Sequence, residues 1–177
     1  AELWPLVEWC LEYCRRQLTP DGVVASDTDE LEGRFPTGDA NLCTSTLYYD
    51  ALLSAVSLGR ELGVESAQTA RYAAQARALA RAIDAYFGGE VGGYDTYRYY
   101  AGNTLLRSWI CMPLIVGLKE RSEGTVRALL GPELMTDDGL LTQQGSSTFW
   151  DRSTLYALRG IYNVGQADRA TELLHRY

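Results

Sequence analysis

Histidine is the scarcest functional residue in this sequence. One occurs among 177 residues, His175, the third residue from the end of the sequence. A Ser-His-Asp or Cys-His centre needs an oriented imidazole beside its nucleophile. A histidine on a predicted last helix does not provide that setting, so the sequence argues against both kinds of nucleophilic centre.

Cysteine is also sparse, and its spacing shows neither a disulfide framework nor a zinc knuckle. Cys10 and Cys14 share a face of a predicted helix, whereas Cys43 and Cys111 are isolated. We interpret all four as thiols packed in a protein of a reducing compartment; a secreted or periplasmic location stays open if a leader was removed. No phosphate loop or dinucleotide fingerprint follows a strand, so neither a metal nor a cofactor is expected.

Positive charge and long apolar runs are lacking as well. The chain has 16 Lys and Arg against 23 Asp and Glu, a formal net charge of −7 and a pI near 4.7. Such a chain cannot neutralise a phosphate backbone, which excludes nucleic acid as the expected partner. No apolar run approaches the ~20 residues that cross a bilayer, so no membrane partner is expected.

What the sequence has is helical periodicity over a composition typical of globular proteins, 46% apolar and 22% charged. Apolar residues recur every three or four positions in two long segments, at Tyr72, Ala76, Leu79, Ile83 and Tyr86 and at Leu47, Ala51, Ala55, Leu58 and Leu62. Seven helices are predicted, at about 2–18, 42–62, 66–87, 103–118, 122–131, 151–163 and 167–177. Strand signals are weak and lie inside loops.

The connections between these helices alternate in length. Residues 63–65, 119–121 and 164–166 are tight turns that force antiparallel neighbours, whereas the connections at about 19–41, 88–102 and 132–150 are long. If hairpins stack in succession, all long connections emerge at one rim. The sequence thus predicts an all-α fold of stacked αα-hairpins, arranged as a toroid or a solenoid. One partial toroid domain is expected over 1–177.

The first long connection is rich in carboxylates. Residues 26–39 hold five of them against one arginine, Arg34. Crowding raises the pKa of at least one carboxyl group in an enclosed cluster, as a general acid requires. The alternative is a solvated acidic loop in which Asp39 or Asn41 caps the next helix.

The second and third long connections are rich in aromatic, amide and guanidinium groups. Residues 94–100 are followed by Asn103, Arg107 and Trp109, and residues 143–152 end in Trp150-Asp151-Arg152. Aromatic faces beside polar groups suit a sugar ring, which offers C–H faces and hydroxyl edges together. Core packing is the alternative for Trp109, and a first-turn charge at a helix start is the alternative for Asp151.

Two stretches of the sequence resemble the six-hairpin glycosidases, which are (α/α)6 toroids and include bacterial α-L-rhamnosidase-like enzymes. The first is Gly33-Arg34-Phe35-Pro36-Thr37-Gly38-Asp39-Ala40-Asn41-Leu42, running through 44–49 to a helix that ends at 59–63. The second spans 138–152, with Thr148-Phe149-Trp150-Asp151-Arg152, and continues at 165–168. Because the chain supplies about seven helices, the resemblance implies an incomplete ring.

The resemblance also implies a chemistry, glycoside hydrolysis by two carboxylates about 5 Å apart for retention or about 6.5–9.5 Å apart for inversion. Glu30 with Asp29 is similar to the acid motif that precedes a Gly-Asp pair, here Gly38-Asp39, in rhamnosidase-like members. The expected catalytic candidates are Glu30, Asp39, Asp29 and Asp151. The expected carbohydrate-binding candidates are Phe35, Asp95, Tyr97, Arg98, Tyr99, Asn103, Trp109, Trp150 and Arg152.

Two other functions stay open. One is a non-catalytic toroid that binds carbohydrate or a partner, and the other is a sugar epimerase or isomerase, which the lone histidine disfavours. A part-ring leaves apolar helix faces open at its ends. The expected protein partner is therefore either the rest of the ring or a second copy of the chain.

Overall fold

The computed structural model describes residues 2–29 and 35–176. The chain forms two compact units, residues 1–86 and 87–177. Helices make up 55% of the structure, which confirms the all-α prediction. In the described ranges, no helix combines the length and apolarity needed to span a membrane. A single domain over 1–177 stays a prediction.

The first unit is built from three helices, α1 (Trp4–Arg16), α2 (Leu42–Glu61) and α3 (Ser66–Phe87), the last residue of α3 belonging to the second unit. Asn41 caps α2, because its Oδ1 accepts a hydrogen bond from the Thr44 backbone N at 2.8 Å. Gly63 follows α2 in the left-handed region, at φ +71°, where glycine closes a helix without strain. The predicted short turn between α2 and α3 is confirmed.

Burial confirms the predicted apolar stripe of α3 and corrects that of α2. Four stripe residues of α3 are at most 4% exposed: Tyr72, Ala76, Leu79 and Ile83. On α2, by contrast, Leu47 and Leu58 are about half exposed, as is Leu62 just after the helix, and the buried face runs through Tyr48, Leu52, Ala55, Val56 and Gly59. α2 carries apolar residues on two faces, so periodicity alone does not select the inner one. Gly59 identifies the inner face of α2, because a Cβ at this position would lie 3.2 Å from the Trp4 ring.

The second unit combines two small hairpins with short helices. β1 (Gly88–Val91) pairs antiparallel with β2 (Tyr94–Tyr97) through a Gly92-Gly93 turn, whose φ angles of +59° and +82° suit a tight hairpin. The remaining elements are α4 (Met112–Ile115), α5 (Ser122–Leu129), β3 (Met135–Thr136) paired with β4 (Gly139–Leu140), α6 (Asp151–Asn163) and α7 (Ala167–Arg176).

The predicted helix over 103–118 is wrong over most of its length. Only a 3-10 turn at Ser108–Cys111 and the four-residue α4 form there. Arg107 has extended backbone angles, φ −130° and ψ 145°, and pairs with Gln143 in an isolated β-bridge. Gly117, at φ +83°, lies just beyond α4. Pairing with a distant strand-like segment therefore outweighs the local helical pattern.

Candidate functional site

The second and third long connections meet inside the second unit. The Ser108 backbone N donates to the Thr142 carbonyl at 3.1 Å, and the Gln144 backbone N donates to the Leu106 carbonyl at 2.9 Å. These bonds join the segment after the second connection to the middle of the third. The first connection lies in the other unit, so its convergence with these two stays a prediction.

Arg107 is the side chain that ties the two connections together. It is 1% exposed, and its Nε donates to Gln143 Oε1 at 2.8 Å. Its guanidinium lies over the rings of Tyr99 and Tyr100, 4.8 and 5.5 Å from their centroids. Contacts of this kind stabilise a cation by about 0.5–2 kcal/mol. Arg107 therefore fixes the aromatic segment of one connection against the amide segment of the other.

An aromatic and arginine cluster surrounds the start of α6. The guanidinium of Arg152 lies 5.6 Å from the Trp109 ring centroid and 5.3 Å from that of Trp150. The Trp109 ring packs 5.4 Å from the Tyr156 ring, and it is only 1% exposed. Its indole Nε1 is buried without a hydrogen-bond partner among the described residues. Trp150 and Tyr156 are half-buried, so parts of their rings are open to a ligand.

An open groove lies beside this cluster. It measures about 390 Å³ and is lined by Arg152, Leu155, Tyr156 and Arg159, which follow one another at helical spacing on α6. Asp151 is exposed at the first position of the same helix, where the helix dipole favours a carboxylate. The cluster and the groove share Arg152 and Tyr156. This combination of ring faces, guanidinium groups and a neighbouring carboxylate can bind a polyhydroxylated ring.

Besides Trp109, three of the predicted carbohydrate-binding residues are buried in this structure. Tyr97 and Tyr99 are at most 1% exposed, and Asn103 is 8% exposed. The Asn103 Oδ1 accepts a hydrogen bond from the Tyr99 backbone N at 3.2 Å, which holds the turn after the aromatic segment. All three pack and order the second unit, and a ligand contact for them stays a prediction.

Asp95 lies in β2 of the hairpin, and Arg98 directly follows that strand. Asp95 is exposed and forms an ion pair with Arg121, next to the start of α5. Arg98 is half-buried, and its Nη2 donates weakly to the Gly88 carbonyl at 3.4 Å. Both side chains thus hold the hairpin in place.

The acidic connection of the first unit is described only in part. Glu30 lies outside the described residues. Asp29 and Phe35 are half-buried and Asp39 is exposed. The carbonyl of Asp39 accepts a hydrogen bond from the Ser26 backbone N at 2.8 Å, so this connection is held by its backbone. Asn41 makes the capping contact, which bears out the structural alternative for that residue.

Three residues of the groove were not anticipated from the sequence, and one of them, Leu155, stands three positions after Arg152. Tyr156 and Arg159 stand four and seven positions after Arg152, on the same side of α6. That spacing is the signal which would have identified them, since residues at i, i+4 and i+7 share a helix face. No metal-binding group of three or more His, Cys, Asp or Glu occurs in the described ranges.

Comparison with known proteins supports the fold. No family model and no curated protein matches the sequence. Among solved structures, the chain is similar to neutral trehalase Nth1 from Saccharomyces cerevisiae, with a TM-score of 0.67 and 18% identity over 85% of this chain. The chain spans about a third of that protein, 32% of its length. Since trehalase is a six-hairpin glycosidase, the chain shares the fold of part of an (α/α)6 toroid.

Proposed function

We propose that this chain is a segment of a glycoside hydrolase catalytic domain, with a sugar-binding surface at the start of α6. The observation that carries the proposal is the placement of Arg152 over two indole rings, next to Asp151 and an open groove. The similarity to a trehalase fold supports it, because toroids of that class act on carbohydrates. The rhamnosidase-like subtype belongs to the same proposal.

The proposed chemistry uses carboxylates alone. One carboxylic acid, from Glu30 or its neighbours Asp29 and Asp39, donates its proton to the glycosidic oxygen as the bond from that oxygen to the anomeric carbon breaks. A second carboxylate either attacks the anomeric carbon or removes a proton from the water that attacks it. Asp151 is the carboxylate beside the aromatic surface. Trp150 and Tyr156 would stack on the sugar.

Hydrolysis tests the assignment of the carboxylates. Trehalose and a panel of aryl glycosides, an α-L-rhamnoside among them, are the substrates. We expect Glu30→Gln, Asp39→Asn or Asp151→Asn to lower turnover by about 10²–10⁴-fold, the usual contribution of a general acid or base. Asp50→Asn, at an exposed position of α2, is the matched control. Turnover that none of the three substitutions changes would remove the assignment.

A non-catalytic carbohydrate-binding toroid is the second candidate. The groove on α6 favours it, because aromatic and arginine side chains bind sugars without any acid being present. Binding is measured by the change of tryptophan fluorescence on adding each sugar. Sugar binding that depends on Trp150, with no turnover by the unmodified chain, would favour this candidate.

A further inference from the structure

One side of α1 exposes large apolar side chains at helical spacing. Leu6, Trp9 and Tyr13 are 56%, 64% and 55% exposed, and Leu3, just before the helix, is exposed as well. Positions 6, 9 and 13 lie on one face, opposite the buried Leu11. A soluble helix does not normally leave such a stripe in water, so the stripe indicates a contact surface.

The aromatic pair on this face is already ordered. The Trp9 and Tyr13 rings stack with centroids 5.8 Å apart and planes inclined by 23°. Rings that are fixed before binding lose little conformational entropy when a partner covers them. The face is therefore organised for contact with another apolar surface.

Charges of opposite sign flank the stripe at equal distances from its centre. Glu2 lies in the turn before α1, seven residues before Trp9, and Arg16 is the last residue of α1, seven residues after Trp9 and about 10 Å from it along the helix. Glu12 bonds to both Arg15 and Arg16, so one carboxylate serves two guanidinium groups and the Arg16 end keeps a net positive charge. In an antiparallel pair of identical chains, Glu2 of each copy would lie beside Arg16 of the other. The pair would therefore contain two such contacts between opposite charges.

We propose that this face of α1 binds α1 of a second copy of the chain, antiparallel and about a twofold axis near Trp9 and Cys10. Leu6 of each copy then packs against Tyr13 of the other, and each Trp9 lies beside its symmetry mate. The self-complementary order of acid, apolar stripe and base, along α1 and the turn before it, is what selects a second copy as the occupant. This inference is independent of the proposed hydrolase activity.

Cys10 supplies a built-in reporter of this arrangement. It is an exposed free thiol beside the expected axis, so the two Cys10 residues would face each other. Packed helix axes are about 8–10 Å apart, farther than a disulfide spans but within reach of a short bis-maleimide. We expect this reagent to give a covalent dimer. Cys10→Ser should abolish that product, because the next thiol on the helix, Cys14, is less exposed and farther from the axis.

Light scattering after size-exclusion chromatography measures the association directly. We expect a mass rising from 19.6 kDa toward twice that value as the concentration increases. Trp9→Lys should keep the chain monomeric, whereas Leu155→Lys, at an exposed leucine of the second unit, is the matched control and should leave the mass unchanged. A monomer at all concentrations, or a dimer that persists with Trp9→Lys, would overturn the proposal. Either result would indicate that the exposed face of α1 is covered by something other than α1 of a second copy.

Charge exchange tests the antiparallel register. Glu2→Lys alone and Arg16→Glu alone each place like charges opposite one another, so each should weaken dimerisation at low salt. An equimolar mixture of the two variants pairs opposite charges at both ends and should dimerise again. Failure of the mixture to exceed either variant alone would contradict this register, even if the chain is dimeric.

Discussion

Arg107 and Gln143 form a hydrogen bond inside the second unit, in which the guanidinium Nε donates to the amide Oε1 at 2.8 Å. The same guanidinium stacks on Tyr99 and Tyr100. A buried cation must be compensated by such contacts, because its removal from water is costly. The bond therefore supports the arrangement of two long connections around the start of α6.

We expect Gln143→Ala to lower the free energy of unfolding by about 1.5–3 kcal/mol, the usual contribution of a hydrogen bond to a charged group. Gln144→Ala removes a neutral contact, the bond from the Leu106 backbone N to the Gln144 Oε1 at 3.2 Å, and should cost about 0.5–1.5 kcal/mol. Urea denaturation of both variants checks the order. A larger loss for Gln144→Ala would contradict the role given to Arg107.

The phenol of Tyr48 makes stability depend on alkaline pH. Burial raises the pKa of Tyr48 to about 12, whereas a tyrosine in the unfolded chain titrates near pH 10. The folded state thus keeps a proton that the unfolded state releases. The contribution of Tyr48 to stability is present below pH 10 and is lost as the pH rises from 10 through about 12.

Tyr48→Phe tests this dependence. It removes a buried hydroxyl that has no hydrogen-bond partner among the described residues, so at pH 7 we expect a variant as stable as the parent or about 1 kcal/mol more stable. Its loss of stability between pH 10 and 12 should be smaller. Tyr162→Phe removes an exposed hydroxyl that contacts Thr171 at 2.8 Å and should show no gain at pH 7. Chemical denaturation at several pH values gives both comparisons.

Gly124 of α5 packs directly against the backbone of β2. A Cβ at this position would overlap the backbone carbonyl of Asp95, which cannot move without disturbing the hairpin. We expect Gly124→Ala to destabilise the fold by about 1–3 kcal/mol or more, despite a gain in helix propensity of about 1 kcal/mol. Gly160→Ala would place its Cβ 3.0 Å from the Leu114 Cβ and 3.2 Å from the Cys111 carbonyl oxygen, a milder overlap, and should cost less. Thermal unfolding followed by circular dichroism ranks the two.

The sequence predicts the long helices well because their signals are local. α3 and α6 combine a regular apolar period with a tight glycine turn at one end, and neither needs a distant partner to be identified. The β1–β2 hairpin was missed even though Gly92-Gly93 is a typical hairpin turn. Its strands are short, and cross-strand pairing, which no single segment reveals, stabilises them.

The candidate site also contains residues that local sequence signals predict and contacts that they do not. Trp150, Asp151 and Arg152 were identified because they cluster in sequence before a helix. The contact of Arg107 with Gln143 joins residues 36 positions apart, and no pattern in either segment predicts it. The exposed stripe of α2 was misread for a related reason, since periodicity gives the direction of a helix face but not what covers it.

Arg152 provides a prediction that separates ligand binding from stability. It is exposed and lies over two indole rings beside the groove, whereas Arg127 is exposed and lies 5.8 Å from the Tyr94 ring, away from that groove. The two arginines thus make the same kind of contact, and Arg152→Ala and Arg127→Ala should cost similar stability, about 0.5–1 kcal/mol each. Only Arg152→Ala removes a hydrogen-bond donor from the sugar surface. We therefore expect it to weaken sugar binding about tenfold, consistent with one hydrogen bond to a charged group, and Arg127→Ala to leave binding unchanged.

Calorimetric titration with the sugar that binds best to the parent gives both affinities. Equal effects of the two substitutions would place the binding surface elsewhere in the molecule.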